Sequence, residues 1–112
     1  MRTPAETIQA QLEAYNRHDI EAFMAVHSPQ VTLYNLLDGS IIAQGQEAVR
    51  DRYMLRFANP NLHAEVTQRM VMGSRVIDHE QVNGIQPDRA VEVIAIYDVQ
   101  DGLIQRVWFI YG

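Results

Sequence analysis

The sequence predicts an α+β domain in which three helices, all in the first half of the chain, cover one face of a curved, largely antiparallel sheet. Three observations carry that expectation. Apolar stripes at helical spacing, with helix start signals, occur only up to Phe57. Long β-patterned segments fill the chain after Asn61, and turn dipeptides containing Gly join them in pairs. Helices segregated in this way from an antiparallel sheet define the α+β class, and four long twisted strands facing three helices curl around them to leave a conical interior.

Each element has a local cause. Thr3-Pro4-Ala5-Glu6 is a capping box with Pro at the first helical position, and Ala5, Ile8, Leu12 and Tyr15 follow as one stripe. Asn16-Arg17-His18 interrupts the stripe. Asp19 can cap a second short helix carrying Ile20, Phe23, Met24 and His27, which Ser28-Pro29 ends. Val31 to Leu37 is β-rich, Asp38-Gly39 is a turn signal, and Ser40 to Ala43 returns. Gly45 precedes a third helix with Val49, Tyr53 and Phe57 on one side, stopped by Asn59-Pro60-Asn61. Strands are expected over Leu62 to Met72 and Arg75 to Val82, joined at Gly73-Ser74, and over Arg89 to Val99 and Leu103 to Tyr111, joined at Asp101-Gly102.

Composition narrows the function. At 112 residues, with 47% hydrophobic and 21% charged residues, the chain reads as a single globular domain over residues 1–112. There is no Cys, which excludes disulfides, thiolate metal sites and a Cys nucleophile. All nine basic residues are Arg, which excludes Schiff-base chemistry and a Walker-type phosphate loop. None of the three Ser residues lies in a G-x-S-x-G elbow. A net charge of −5 disfavours nucleic acid and anionic membranes as partners. The longest apolar runs, Val93 to Tyr97 and Val107 to Tyr111, are too short to span a bilayer, and the N-terminal residues do not resemble a secretory signal. A cytoplasmic location is the expectation.

Five segments carry a resemblance: Tyr15 to Phe23, Val31 to Asn35, Gly45 to Arg50, Val76 to Glu80, and Asp101 to Phe109. Together they resemble the nuclear transport factor 2-like superfamily, and within it the SnoaL-like and ketosteroid isomerase-like branch, over essentially the whole chain. The resemblance implies a cone-shaped fold that hosts enzymes and non-enzymes alike. Carried over residue by residue, the isomerase base falls on Asn35, or on Tyr34 one register away, the phenolic donor near Gln11, and the protonated acid on Ala95. The charged cluster of limonene epoxide hydrolases falls on Gln81, Asn83 and Phe109. Neither reaction keeps its charged residues at these positions, and ketosteroid isomerase activity is not expected. The acid–base Asp of SnoaL-like cyclases has no counterpart inside the cone.

The same resemblance turns Val91, Val93, Ala95, Tyr97 and Val99 inward, with Val107, Phe109 and Tyr111, and leaves Ile94, Ile96, Trp108 and Ile110 outside. His79 is the candidate catalytic acid–base, its alternative being a structural His bonded to a backbone carbonyl or to Asp78 or Glu80. Tyr15, Phe23, Tyr34, Asn35, Tyr53, Tyr97, Phe109 and Tyr111 are the candidate ligand-binding residues; for Tyr15, Tyr34 and Tyr53 core packing is the competing explanation, and for Asn35 a local hairpin bond. Asp78-His79-Glu80 invites a metal, but neighbours on a strand alternate faces, so no metal site and no cofactor are expected. Arg50, Arg52 and Arg56 read as a solvated face with Glu47 and Asp51, with recognition of a phosphate as the alternative.

Two functions follow. The first is binding of a small hydrophobic molecule in an apolar conical pocket, with isomerase- or cyclase-like proton transfer if the domain is an enzyme. The second is a non-catalytic dimeric module whose cone is filled by its own side chains. In either case the outward patch Ile94, Ile96, Trp108 and Ile110 predicts a homodimer, with Arg106 crossing to an acid on the partner.

Overall fold

A computed structural model describes all 112 residues. In chain order the elements are α1 (Pro4–Asn16), α2 (Ile20–Ala25), β1 (His27–Asn35), β2 (Ile41–Gln44), α3 (Gln46–Phe57), β3 (His63–Met72), β4 (Arg75–Asn83), β5 (Val91–Gln100) and β6 (Leu103–Tyr111). The six strands form one sheet in the order β2-β1-β6-β5-β4-β3. All neighbours are antiparallel except β1 and β6, which run parallel. The expected α+β architecture is therefore present, with one parallel pair next to the edge strand β2. No helix is long and apolar enough to cross a membrane.

The local signals act where expected. The Thr3 hydroxyl accepts from the Glu6 amide, and the Glu6 carboxylate accepts from the Thr3 amide at 2.8 Å. Asp19 caps α2 by accepting from the Ala22 amide. The strand after α2 begins earlier than the sequence suggests, so His27 lies on β1 rather than on the helix. Pro29 sits inside β1, where the pairing with β6 is broken between His27 and Thr32. A residue without an N–H fits a strand at such an interruption.

The core forms where the helices meet the inner face of the sheet. Phe23 is fully buried at its centre, with its ring 4.6 Å from Tyr53, 5.3 Å from Phe57 and 4.6 Å from His27. Burial drives the His27 titration down to about 4, and its ring bonds the Phe23 carbonyl oxygen at 2.7 Å. His27 is therefore a neutral core residue.

The break after α1 has a structural role. Asn16 presents its amide to the free edge of β3, donating to the Ala64 carbonyl at 2.9 Å and accepting from the Ala64 amide at 2.8 Å. It acts as one residue of an additional strand. His18, at φ +55°, bonds the Leu62 carbonyl at 2.7 Å and stacks on Phe57. Opposite, Gly84 lies so close to Leu62 that a Cβ would stand 2.6 Å from the Leu62 Cα, and only Gly fits there.

Asn16→Ala leaves the buried Ala64 amide and carbonyl without partners, at about 1–3 kcal/mol for each group. Urea unfolding is expected to show a loss of about 2–4 kcal/mol with an unchanged slope. A loss below about 0.5 kcal/mol would contradict this role for Asn16.

Candidate functional site

Alternation along β4 fixes the polar content of the cone. Val76, Asp78, Glu80 and Val82 are buried on the inner face, while Ile77, His79 and Gln81 are only half-buried on the outer one. His79 therefore does not line the cone. Its Nε2 lies 2.6 Å from a Glu92 carboxylate oxygen on the outer face of the sheet. The expectation of an inward His79 is corrected by strand parity: the two apolar ends of the segment, Val76 and Val82, share the phase of the carboxylates.

The two inward carboxylates have different environments. Asp78, 1% exposed, is held by Arg69 through Nε–H to Oδ1 at 2.7 Å and Nη2–H to Oδ2 at 2.9 Å. A third bond ties Arg69 to Gln9 of α1 at 2.9 Å. Arg69 can face inward because β3 changes register between Val66 and Gln68, with Thr67 as the extra residue. The Thr67 hydroxyl donates to the His79 carbonyl at 3.0 Å. Without that bulge, strict alternation from Ala64 and Val66 would turn Arg69 outward.

Glu80, 9% exposed, has no such cation. No basic nitrogen lies within 4 Å of its carboxylate, and its one side-chain partner is the Tyr97 hydroxyl at 3.5 Å. Burial first, and the neighbouring Asp78 charge second, push its titration up to about 7. Around it stand the phenols of Tyr15, Tyr53 and Tyr97, each pushed upward by burial, so each stays a neutral donor at physiological pH. Arg56 completes the polar lining from α3, its guanidinium 5.6 Å from the centre of the Tyr53 ring.

These groups line a recess closed by Leu12, Val82, Ile85, Val93 and Phe109, with Gln11 on one wall and Tyr111 at the mouth. The recess measures about 380 Å³ including the open mouth, and little of that is enclosed. Its enclosed part has room for about one water, so anything larger needs the open side.

The structure brings together five of the eight candidate ligand residues: Tyr15, Tyr53, Tyr97, Phe109 and Tyr111. Phe23 is instead sealed in the core beneath them. Tyr34 faces outward and stacks on Trp108, with ring centres 5.4 Å apart. Asn35 is spent on the hairpin, its Oδ1 accepting from the Leu37 amide. The two corrections have separate causes. Val31 and Leu33 carry the inward phase of β1, so Tyr34 is outward, and Asn35 lies at the strand end where the turn begins. Ala95 is fully buried on the inner face, and Gln11 lines the recess.

The sequence reads two residues of the site otherwise, Glu80 as a neighbour of His79 and Arg56 as part of a solvated face. Glu80 was recoverable from its phase with Val76 and Val82. Arg56 lies three residues beyond Tyr53 and seven beyond Val49, the spacing of one helix face, and the structure turns it to the recess rather than to solvent.

The chain resembles solved structures over nearly its whole length. An uncharacterised cystatin-fold protein from Novosphingobium aromaticivorans is 26% identical, covering 98% of this chain and 99% of that one, with a TM-score of 0.88. A putative polyketide cyclase from Sinorhizobium meliloti is 20% identical over 93% of each chain, with a TM-score of 0.79. A protein of ketosteroid isomerase-like fold from Catenulispora acidiphila, crystallised with trimethylamine, is 18% identical over 99% of this chain and 88% of that one, also at 0.79. No protein of curated function matches the sequence. The SnoaL-like domain model matches residues 8–107, nearly the entire fold described above, and the chain belongs to that family.

Proposed function

We propose that the domain binds a small oxygenated, largely apolar molecule at the mouth of the recess and moves a proton on it, with Glu80 as acid–base group. The observation that supports this reading is a buried carboxyl poised near 7, without a cation of its own, facing a set of neutral phenols. A general base works best when its titration lies near the working pH. The ionised Glu80 would take a proton from the carbon next to a ligand carbonyl, and a phenol of Tyr97, Tyr15 or Tyr53 would donate to the oxygen on which charge develops. Returning the proton to another carbon is isomerisation, and attack of the carbanion on a second carbonyl is cyclisation. The putative cyclase among the structural neighbours agrees with this class. His79, on the opposite face of the sheet, has no part in it.

The narrow inner space favours a second reading, in which the cone is filled and the domain is a non-catalytic module. Proton exchange separates the two. In deuterated buffer at pH 8, the protein is expected to speed exchange of the α-hydrogens of cyclohexanone, read by proton NMR, and Glu80→Gln is expected to lower that rate by about 10²–10⁴-fold. Exchange equal to buffer alone would leave the filled module.

The same carboxyl makes a stability prediction. Below pH 4.5 Glu80 is protonated in both folded and unfolded chains and has no effect. Between 4.5 and about 7 the unfolded chain releases the proton while the fold keeps it, so stability falls as pH rises. Above 7 the buried charge costs about 3 kcal/mol. Glu80→Gln is expected to raise stability by about that amount at pH 8 and to leave it unchanged at pH 4. Equal stabilities at pH 8 would show that the carboxyl is not strained by burial.

We also propose that two copies pair through the outer face of the sheet. Ile94, Ile96, Trp108 and Ile110 share that face, each half-buried within one chain. Arg106 does not reserve itself for a partner: it bonds Asp98 of its own chain at 2.7 and 3.1 Å and lies over Trp108. Light scattering is expected to give twice the 12.8 kDa chain mass, and Trp108→Glu to give monomer or aggregate. A monomeric wild type at micromolar concentration would overturn the pairing.

A further inference from the structure

Beside the recess, Arg52 and Arg56 of α3 converge on the hydroxyl oxygen of Tyr111, one of its lining residues. Arg52 Nη2 donates to the Tyr111 hydroxyl at 3.3 Å and Arg56 Nη2 donates to it at 3.5 Å. Both distances exceed the roughly 2.7–2.9 Å of a charge-assisted bond, and one hydroxyl oxygen returns little to two cations. No carboxylate lies within 4 Å of either guanidinium, whereas Arg17, Arg50, Arg69 and Arg106 each have one. The Arg52 Nε–H is buried and has no partner at all. Buried donors are normally satisfied, and two like charges drawn to one point repel unless an anion joins them. What holds the pair in place is the face of Tyr53, 6.0 Å from Arg52 and 5.6 Å from Arg56.

We propose that Arg52, Arg56 and the Tyr111 hydroxyl form the anchor for an anionic group, so that the molecule taken by the recess is a small carboxylic acid bearing a carbonyl. A planar carboxylate matches the guanidinium fork, and both of its oxygens can be bonded at once. Arg56 and Tyr111 line the recess and Arg52 joins them at the Tyr111 hydroxyl; Tyr111 is exposed, whereas Glu80 and the phenols of Tyr15, Tyr53 and Tyr97 are buried. The carboxylate therefore fixes the outer end and points the carbonyl inward. In a chain of net charge −5, this local excess of positive charge also draws the anion to this opening. The inference rests on the ligand-binding reading above but not on the catalytic role of Glu80.

The test uses one ketone in two forms, 3-oxocyclohexanecarboxylate and its methyl ester, with binding read by calorimetry and α-hydrogen exchange read by NMR. The acid is expected to bind at least tenfold more tightly than the ester, and Arg52→Gln or Arg56→Gln to weaken the acid by about tenfold or more and the ester much less. Raised salt should weaken the acid only. Equal binding of acid and ester, or binding of the acid that is indifferent to both substitutions, overturns the anchor and leaves the role of Glu80 intact. Arg-dependent binding of the acid without exchange supports the anchor and removes the catalytic role. Failure of both forms to bind at millimolar concentration overturns the anchor as well.

Discussion

The site depends on an unequal division of charge between two carboxylates two residues apart on one strand. Asp78 and Glu80 share the inner face of β4, and only one guanidinium reaches them. A buried carboxylate is tolerable when paired and expensive when not. Arg69 settles on Asp78 because the β3 bulge places it directly across from that residue in the register. Glu80 is then left with burial and a like charge nearby, and both favour its proton. The bulge at Thr67, the pair at Asp78 and the titration of Glu80 form one causal chain.

That arrangement works against the fold. An ionised Glu80 is a standing cost at neutral pH, whereas buried and neutral His27 opposes acidification over nearly the same range. Below about 6.5 the unfolded chain gains a proton at His27 that the fold refuses, so stability falls as pH drops toward 4. The Glu80 contribution runs the other way between 7 and 4.5, so the two slopes largely cancel. His27 sits in a sealed aromatic core with its bond to the Phe23 carbonyl, as a structural residue does. Glu80 faces a recess open at one end, and a destabilised group in that position is what a chemical role would require.

Most of the fold was legible in the sequence because its signals are local. Capping at Thr3 and Asp19, the Asp101-Gly102 turn and the alternation of β5 and β6 all act within a few residues. The parallel pairing of β1 with β6 was not legible, since it joins strands some seventy positions apart. The site was legible in part. Tyr15, Tyr53, Tyr97, Phe109 and Tyr111 lie at inward positions of regular elements. His79 drew notice by residue type, and the phase of Val76 and Val82 overrules it. The placement of Arg69 depends on a bulge that breaks alternation, and nothing in the local pattern of β3 announces it.

The proposed chemistry depends on the protonation of one group, and that group can be observed directly. With glutamate labelled at the side-chain carboxyl carbon, the Glu80 resonance, assigned by comparison with Glu80→Gln, can be followed against pH by NMR. A midpoint near 7 is expected, well above the other glutamates. A midpoint at or below the ordinary 4.5 would mean that Glu80 is solvated or paired, and would remove the acid–base group from the site.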